Sequence, residues 1–144
     1  MAQSTSSRRI VVGVDGSENS TAAIKWSVDN ARKGDTVVLL TGWHPVIPPP
    51  EMAIAYVDDD SSMRTLLEEQ AAKTKPSADA AGVALETKFV HLDPRTALLE
   101  EKADLVVVGA RRHGGLAGLL LGSTADYVAR HARVPVVIIP RVKD

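Results

Sequence analysis

The amino-acid sequence predicts an α/β domain built on an open, mostly parallel five-stranded sheet with helices on both faces. Five short apolar runs alternate with segments of helical periodicity along the 144 residues, which is the pattern of repeated strand–helix–strand units. The runs are continuously apolar, as in strands that are covered on both faces. Aromatic residues make up only 3% of the chain, so we expect a core of Val, Leu, Ile and Ala.

The first half of the chain supplies two strands and the helix between them. The run 10–15 predicts the first strand, and the run 36–41 predicts the second. The apolar stripe between them predicts a helix over 21–32. Either Ser17 or Ser20 is expected to cap that helix, because a serine hydroxyl accepts a hydrogen bond from the first turn.

The segment 42–62 is the least regular part of the chain. It contains the prolines 48–50 and the aspartates 58–60, and a loop of this length in a compact domain is either functional or mobile. A helix is predicted over 62–81. Pro76 should kink it or split it in two, because proline removes a backbone donor and its ring meets the preceding turn.

The second half of the chain completes the alternation of strands and helices. Asp93 and Pro94 favour a helix start, since proline is suited to the first turn. The predicted elements are a strand over 83–90, a helix from 93 to about 102, a strand over 105–108, a helix over 123–131 and a strand over 134–139.

Length and composition narrow the functional classes. The chain suits one domain over 9–144, preceded by a disordered polar tail over 1–8. Its net charge of −1 argues against nucleic acid or an anionic membrane as a partner. There is no cysteine, no apolar run of 18 residues and no secretory signal pattern, so we expect a cytoplasmic protein.

The common catalytic motifs are absent from the sequence. There is no P-loop, no dinucleotide-binding glycine pattern and no G-x-S-x-G. The four histidines lack the spacing of metal ligands, and Asp15 stands without the acidic neighbours of a phospho-receiver domain. The sequence therefore predicts no catalytic residue and no metal site.

Ligands of such sheets bind outside the carboxyl ends of the strands. Asp15, Gly42 and Gly109 follow three predicted strands there. Asp15 is either a turn or capping residue, or a carboxylate that accepts a hydrogen bond from a ribose hydroxyl.

A glycine-rich loop between the fourth strand and the last helix is the strongest signal for a ligand. Gly109 and Gly122-Ser123 bracket it, and a loop that leads into a helix start offers backbone N–H groups to a phosphate. The structural alternative is a flexible loop with a serine cap. Arg111 and Arg112 are either solvated charges or partners of phosphate oxygens.

Several stretches together carry a resemblance to a known family. They are 10–17, Asp93-Pro94, 103–109, 114–123 and 131–137. With them, the chain resembles the universal stress protein family from Arg9 to Arg141.

ATP-binding members of that family carry the motif G-x2-G-x9-G-[ST]. Gly109 matches its first glycine, and Gly122-Ser123 match its end. Arg112 replaces the second glycine, where its side chain either fills the site or supplies a guanidinium to the phosphates. The neighbouring glycines 114–115 are an alternative source of the backbone freedom that the motif needs.

The resemblance implies a strand order of 3-2-1-4-5 and a nucleotide site. Asp15 would contact ribose or adenine, Val14 the base and Gly42 the adenine. The implied phosphate ligands are Gly109, Gly122, Ser123 and Thr124. The resemblance also implies ATP or AMP as ligand, with Mg²⁺ arriving on the phosphates, and a homodimer formed through the strand over 134–139.

The implied function is that of an ATP-binding stress protein, a nucleotide-dependent sensor or protective factor with little or no turnover. One alternative is a member that has lost ATP binding and acts as a dimeric interaction module. Another is binding of a different nucleotide or phosphate ligand. An enzyme of the wider adenine-nucleotide-binding α/β group would need an S-G-G-x-D-S loop, which the residues 14–19 do not supply.

Overall fold

Strands and helices alternate along the residues that the computed structural model describes, which are 7–44, 49–52, 60–110 and 122–140. A short 3₁₀ helix (Pro50–Met52) is the one additional element of this part of the chain. The strands and helices are β1 (Arg9–Gly13), α1 (Glu18–Asn30), β2 (Thr36–Gly42), α2 (Ser61–Ala81), β3 (Ala84–Val90), α3 (Pro94–Glu100), β4 (Leu105–Gly109), α4 (Ser123–His131) and β5 (Val136–Ile139).

The sheet is parallel throughout and has the order β3-β2-β1-β4-β5. This confirms the predicted fold class and strand order. β1 lies at the centre, where Val11 pairs with Val38 on one side and Val106 on the other. The central strands carry continuous apolar runs because both of their faces are covered by helices.

The core consists of two apolar layers, one on each face of the sheet. Alternate residues of each strand point to opposite faces, so Ile10 and Val12 pack with α1 and α2, whereas Val11 packs with α3 and α4. The helices contribute Ile24, Val28, Leu67 and Ala78 to the first layer and Ala97, Leu98, Ala125 and Val128 to the second.

Two elements begin more than one residue away from their predicted starts. α1 begins at Glu18, three residues early, because the Ser17 hydroxyl caps it by accepting a hydrogen bond from the Ser20 N–H at 3.1 Å. β5 begins at Val136, because Pro135 has no N–H for the ladder and only its carbonyl pairs, with the Val106 N–H.

α2 continues through Pro76 as one helix, so the predicted split is wrong. Pro76 is exposed, and the carbonyl that it deprives of a partner belongs to Ala72, which is also exposed, so water can solvate that oxygen. Leu67 and Ala78 anchor the two halves of the helix in the same core layer. Tertiary packing therefore outweighs the local cost of the proline.

A buried aspartate fixes the start of the sheet. Asp35 is 2% exposed and accepts hydrogen bonds from the backbone N–H groups of Arg8 and Arg32, both at 2.8 Å, and from the Arg8 guanidinium. Burial raises the pKa of Asp35, but these donors outweigh it and hold the pKa below the ordinary value.

Residues 1–6 lie outside the described residues, and the boundary of the tail stays a prediction.

Replacing Asp35 with asparagine is expected to lower the free energy of unfolding by about 2–3 kcal/mol, because charge-assisted hydrogen bonds are lost from a buried site. A carboxyl group whose pKa is lowered by folding stabilises the fold above its unfolded pKa and loses that effect as the pH falls. Urea unfolding should therefore show a difference between wild type and Asp35→Asn that shrinks below about pH 4.

The matched control is Asp29→Asn, which removes an exposed carboxylate paired with Lys25 within α1. It should change stability by less than about 0.5 kcal/mol. Equal losses in the two variants would contradict the role given to Asp35.

Candidate functional site

A cavity of about 140 Å³ lies at the carboxyl ends of β1, β2 and β4. This is the edge of the sheet where β1 sits between two strands whose connections run to opposite faces, and ligands of open α/β sheets bind there. The lining residues are Gly13, Val14, Asp15, Ser17, Ser20, Leu40, Gly42, Met63, Pro94, Leu98, Val108, Gly109 and Thr124. Five of the predicted site residues are among them: Val14, Asp15, Gly42, Gly109 and Thr124.

The helices α1, α2, α3 and α4 of the described residues begin beside this cavity. Ser17 caps α1, Met63 lies in the first turn of α2, Pro94 opens α3 and Thr124 is the second residue of α4. Helix starts carry unsatisfied N–H groups and a partial positive charge. These helix starts make the rim of the cavity favourable to an anion. The walls of the cavity are largely apolar.

Asp15 holds the turn between β1 and α1. Its Oδ1 accepts a hydrogen bond from the Ser17 N–H at 2.9 Å, and its own N–H donates to the Ser20 hydroxyl at 3.4 Å. The residue is exposed and lines the cavity. The turn role that the sequence suggested is thus present, and the position of the carboxylate also suits a ligand.

Gly109 lies where the end of β4 meets the start of α1. A Cβ atom at Gly109 would lie 2.7 Å from the C, Cβ and O atoms of Asn19. Asn19 is buried, and its side-chain amide donates to the Ala110 carbonyl. The glycine therefore permits contact between the strand end and the helix start, beside any role toward a ligand.

Gly42 has the same relation to α3. A Cβ atom there would lie 2.7 Å from the Pro94 Cα and 2.8 Å from the Leu92 carbonyl oxygen. The family resemblance implied that Gly42 lies against an adenine. In the structure Gly42 lines the cavity, and its missing side chain also makes room for the start of α3.

The start of α4 is shaped by a glycine in the left-handed region. Gly122 has φ 86°, a conformation that L side chains rarely adopt. It precedes Ser123 and Thr124, whose first-turn N–H groups are the predicted phosphate donors. Thr124 lines the cavity. The predictions for Arg111 and Arg112 fall on 111–121, which lie outside the described residues.

Sequence reasoning missed several residues that line the cavity. The sequence indicated Ser17, Ser20 and Pro94 only as residues at helix starts. Helices that follow parallel strands begin at the ligand-binding edge of the sheet, so this position was the signal that could have found them. Met63 and Leu98 had no sequence signal, because helical periodicity does not separate a residue facing a cavity from one facing the core.

The charges beside the cavity are paired. The Arg95 side chain, hydrogen-bonded to Asp93, lowers the pKa of Asp93 below its ordinary value, with burial acting in the opposite direction. Asp93 also caps α3 by accepting from the Arg95 N–H at 2.9 Å.

Among the residues that the structure describes, no group of three or more His, Cys, Asp or Glu could hold a metal ion, and no helix is long and apolar enough to cross a membrane.

Comparison with known proteins shows which family this chain is similar to. The model of the universal stress protein family matches residues 6–140. A universal stress protein of Mycolicibacterium smegmatis is 33% identical to the chain over 90% of it and 45% of the relative. The chain thus spans about half the length of that relative. A universal stress protein of Methanocaldococcus jannaschii is 29% identical, with 94% of this chain and 84% of the relative covered.

A solved structure of a universal stress protein in complex with cAMP has a similar fold. It is 26% identical to this chain, covers 94% of it and 98% of its own length, and superimposes with a TM-score of 0.63.

Replacing Gly109 with alanine is expected to destabilise the protein by about 1–3 kcal/mol, because the new methyl group meets the backbone of Asn19 and forces α1 away from β4. Gly13→Ala is the matched control. Its Cβ would lie 3.3 Å from the tip of the Leu98 side chain, which can move, so stability should stay within about 1 kcal/mol of wild type. Thermal unfolding of both variants checks this, and equal stability would contradict the packing role of Gly109.

Proposed function

Because the chain belongs to the universal stress protein family, we propose that it binds an adenine nucleotide in the cavity at the carboxyl ends of β1 and β4. The proposed ligand is ATP, or else AMP, with Mg²⁺ carried by the phosphates. The proposed role is that of a nucleotide-dependent sensor or protective factor in stress, with little or no turnover.

The observation that carries this proposal is the meeting of four helix starts around one cavity with largely apolar walls. Apolar walls suit a purine ring, and helix starts suit phosphates. The 26% identical relative in complex with cAMP supports the nucleotide class. Other anions would use only the rim of the cavity, so the apolar walls favour a ligand with a base.

The size of the cavity suggests how the nucleotide lies. At about 140 Å³ it is smaller than the roughly 300 Å³ or more of pockets that enclose a whole ligand. We therefore place the base between Val14 and Met63 and the ribose against Asp15. The phosphates would extend past Gly109 toward Gly122, Ser123 and Thr124 at the start of α4.

The lining residues favour a sensor over an efficient hydrolase. Asp15 is the only ionisable residue among the described residues that line the cavity, and its carboxylate accepts from the Ser17 N–H. General acid–base catalysis needs a group placed to transfer a proton to or from the reacting atoms. Any divalent ion would take its ligands mainly from phosphate oxygens and water, as Mg²⁺ does at many nucleotide sites.

Calorimetric titration tests the nucleotide proposal directly. ATP should release or absorb heat on mixing and raise the melting temperature, since a ligand at 100 times its dissociation constant adds about 2.7 kcal/mol of stability. Thr124→Val should weaken ATP binding about 5- to 10-fold, because it removes a hydroxyl donor at the phosphates and leaves the side-chain volume unchanged.

The control is Thr65→Val, an exposed position on α2 away from the cavity lining, which should leave the affinity unchanged. Absence of both heat and a melting shift at millimolar ATP would contradict nucleotide binding. It would favour the family member that acts through protein contacts alone.

A second function, self-association through β5, has its own structural support. β5 is an outer strand of the sheet, and all four of its residues are apolar and partly exposed. Pro135 and Ile139 direct their carbonyls at β4. Because backbone groups alternate along a strand, those of Val136 and Ile138 point away from the sheet, where they are available to a second copy.

The opposite edge is built differently. β3 carries Glu86, Thr87 and Lys88 in its exposed middle, and charged side chains on an edge strand oppose pairing with another chain. We therefore propose a homodimer in which the β5 strands of two copies meet.

Light scattering should give about twice the 15.3 kDa mass of the chain. Ile138→Pro should shift the protein toward the monomer, because it removes an outward N–H that the β4 pairing does not use. Thr87→Pro makes the same change at the outward position of β3 and should leave the mass unchanged. A monomeric wild type at micromolar concentration would contradict the dimer.

A further inference from the structure

β2 runs two residues beyond its last paired position with β1. Leu40 pairs with Gly13, the last residue of β1, whereas β2 ends at Gly42. The ladder continues by one further bond, from the Val14 N–H to the Leu40 carbonyl at 2.9 Å. In a regular parallel ladder the next bond would run from the Gly42 N–H to the Val14 carbonyl. Among the residues that the structure describes, that bond is not formed.

A side chain takes the place of the missing ladder bond. The Thr41 hydroxyl donates to the Val14 carbonyl at 3.0 Å, and both residues are buried. A buried carbonyl needs a donor, because leaving it without one costs the desolvation of the group. Threonine supplies that donor, whereas a valine of nearly the same shape could not. The Val14 carbonyl is therefore satisfied without the Gly42 N–H.

The backbone groups of Gly42 are left facing the cavity. At the next position of β2, the Trp43 N–H donates to the Val90 carbonyl of β3 at 2.9 Å. Because backbone groups alternate between the two sides of a strand, those of Gly42 point to the side on which β1 has ended. Gly42 lines the cavity there. Within the described part of the chain, neither its N–H nor its carbonyl has a hydrogen-bond partner.

We propose that Thr41 is a positioning residue for the base of the nucleotide, because its hydroxyl satisfies the Val14 carbonyl and so keeps the Gly42 backbone available to a ligand. Thr41 does not line the cavity and acts only through Val14 and Gly42. This inference rests on the proposed function for its ligand, whereas the released N–H exists without one.

The two free groups of Gly42 define the base that fits them. An N–H donor beside a carbonyl acceptor matches the N1 atom and the 6-amino group of adenine. Hypoxanthine, the base of inosine nucleotides, presents the reverse pattern, with a donor at N1 and an oxygen at position 6. A buried donor or acceptor left without its partner costs affinity, so the arrangement favours ATP over inosine triphosphate.

Amide hydrogen exchange of the full chain tests the first step without any nucleotide. In wild type, the Gly42 N–H should exchange much faster than the N–H of Leu40, which lies within the ladder with β1. In Thr41→Val the Val14 carbonyl loses its donor, and the Gly42 N–H should take its place. Exchange at Gly42 should then slow by about ten-fold, as expected for one added hydrogen bond.

Two control variants separate the hydroxyl from the packing of the side chain. Thr41→Ser retains the hydroxyl and loses a methyl group, so it should lower stability but leave exchange at Gly42 as in wild type. Thr36→Val makes the same change at the other end of β2 and should also leave it unchanged. The proposal is overturned if the Gly42 N–H is as protected as that of Leu40 in wild type, a result that depends on no variant. Equal exchange at Gly42 in wild type and Thr41→Val overturns it as well.

The second arm compares the affinities of ATP and inosine triphosphate by calorimetry, since the two share ribose and phosphates. Wild type and Thr41→Ser should prefer ATP, and Thr41→Val should lose about five-fold of that preference, within the range of one hydrogen bond. A general loss of stability would weaken both nucleotides alike and leave their ratio unchanged. An undiminished preference in Thr41→Val would overturn the positioning role.

The two arms separate Thr41 from the nucleotide site itself. If neither nucleotide binds, the proposed function and the role toward a base both fail, while the exchange of the Gly42 N–H still decides whether Thr41 releases it. If ATP binds and its preference over inosine triphosphate is the same in wild type and Thr41→Val, the role of Thr41 is overturned and the nucleotide site stands.

Discussion

The close approach of helix starts to strand ends is the constraint on which the candidate site depends. α1 touches the end of β4 at Gly109, and α3 touches the end of β2 at Gly42, at distances that leave no room for a side chain. These contacts bring the starts of α1 and α3 to the cavity, which the starts of α2 and α4 also border. The two glycines thus stabilise the fold and shape the site at once, and a loss of nucleotide binding on changing either one would not by itself identify a ligand contact.

Carboxylates at the starts of the helices hold backbone and neighbouring side chains. Asp15 binds the turn before α1, Asp60 joins α2 to β3, and Asp93 caps α3 and pairs with Arg95. A fixed negative charge at a helix start is stabilising, but it also competes with an anionic ligand. α4 differs, because its N-cap residue is Gly122 and the carboxylate in its first turn, Asp126, is paired with Arg130. This difference is a physical reason to place the phosphates at α4.

Much of the fold was predictable because burial imposes a simple pattern. Continuous apolar runs such as 36–41 indicate a strand covered on both faces, and Ser17 and Asp93 cap the helices that follow them. The split at Pro76 was wrongly predicted because local propensity was weighed without the packing of Leu67 and Ala78. Of the residues that line the cavity, Asp15, Gly42 and Gly109 were predicted from the strand ends, and Val14 and Thr124 were implied by the family resemblance. Met63 and Leu98 were not, since a cavity has no period in the sequence.

The sequence by itself determined the fold class, the strand order through its family resemblance, and the edge of the sheet at which a ligand would bind. These follow from local periodicity and from the rule that parallel strands point their carboxyl ends one way. Only the tertiary structure decided that Gly42 and Gly109 are required by helix packing, that Asp35 is a buried anchor for Arg8, and that Asp60 meets His91. Each depends on residues far apart in the chain, and the side chains that meet across such distances are fixed by how the helices pack on the sheet.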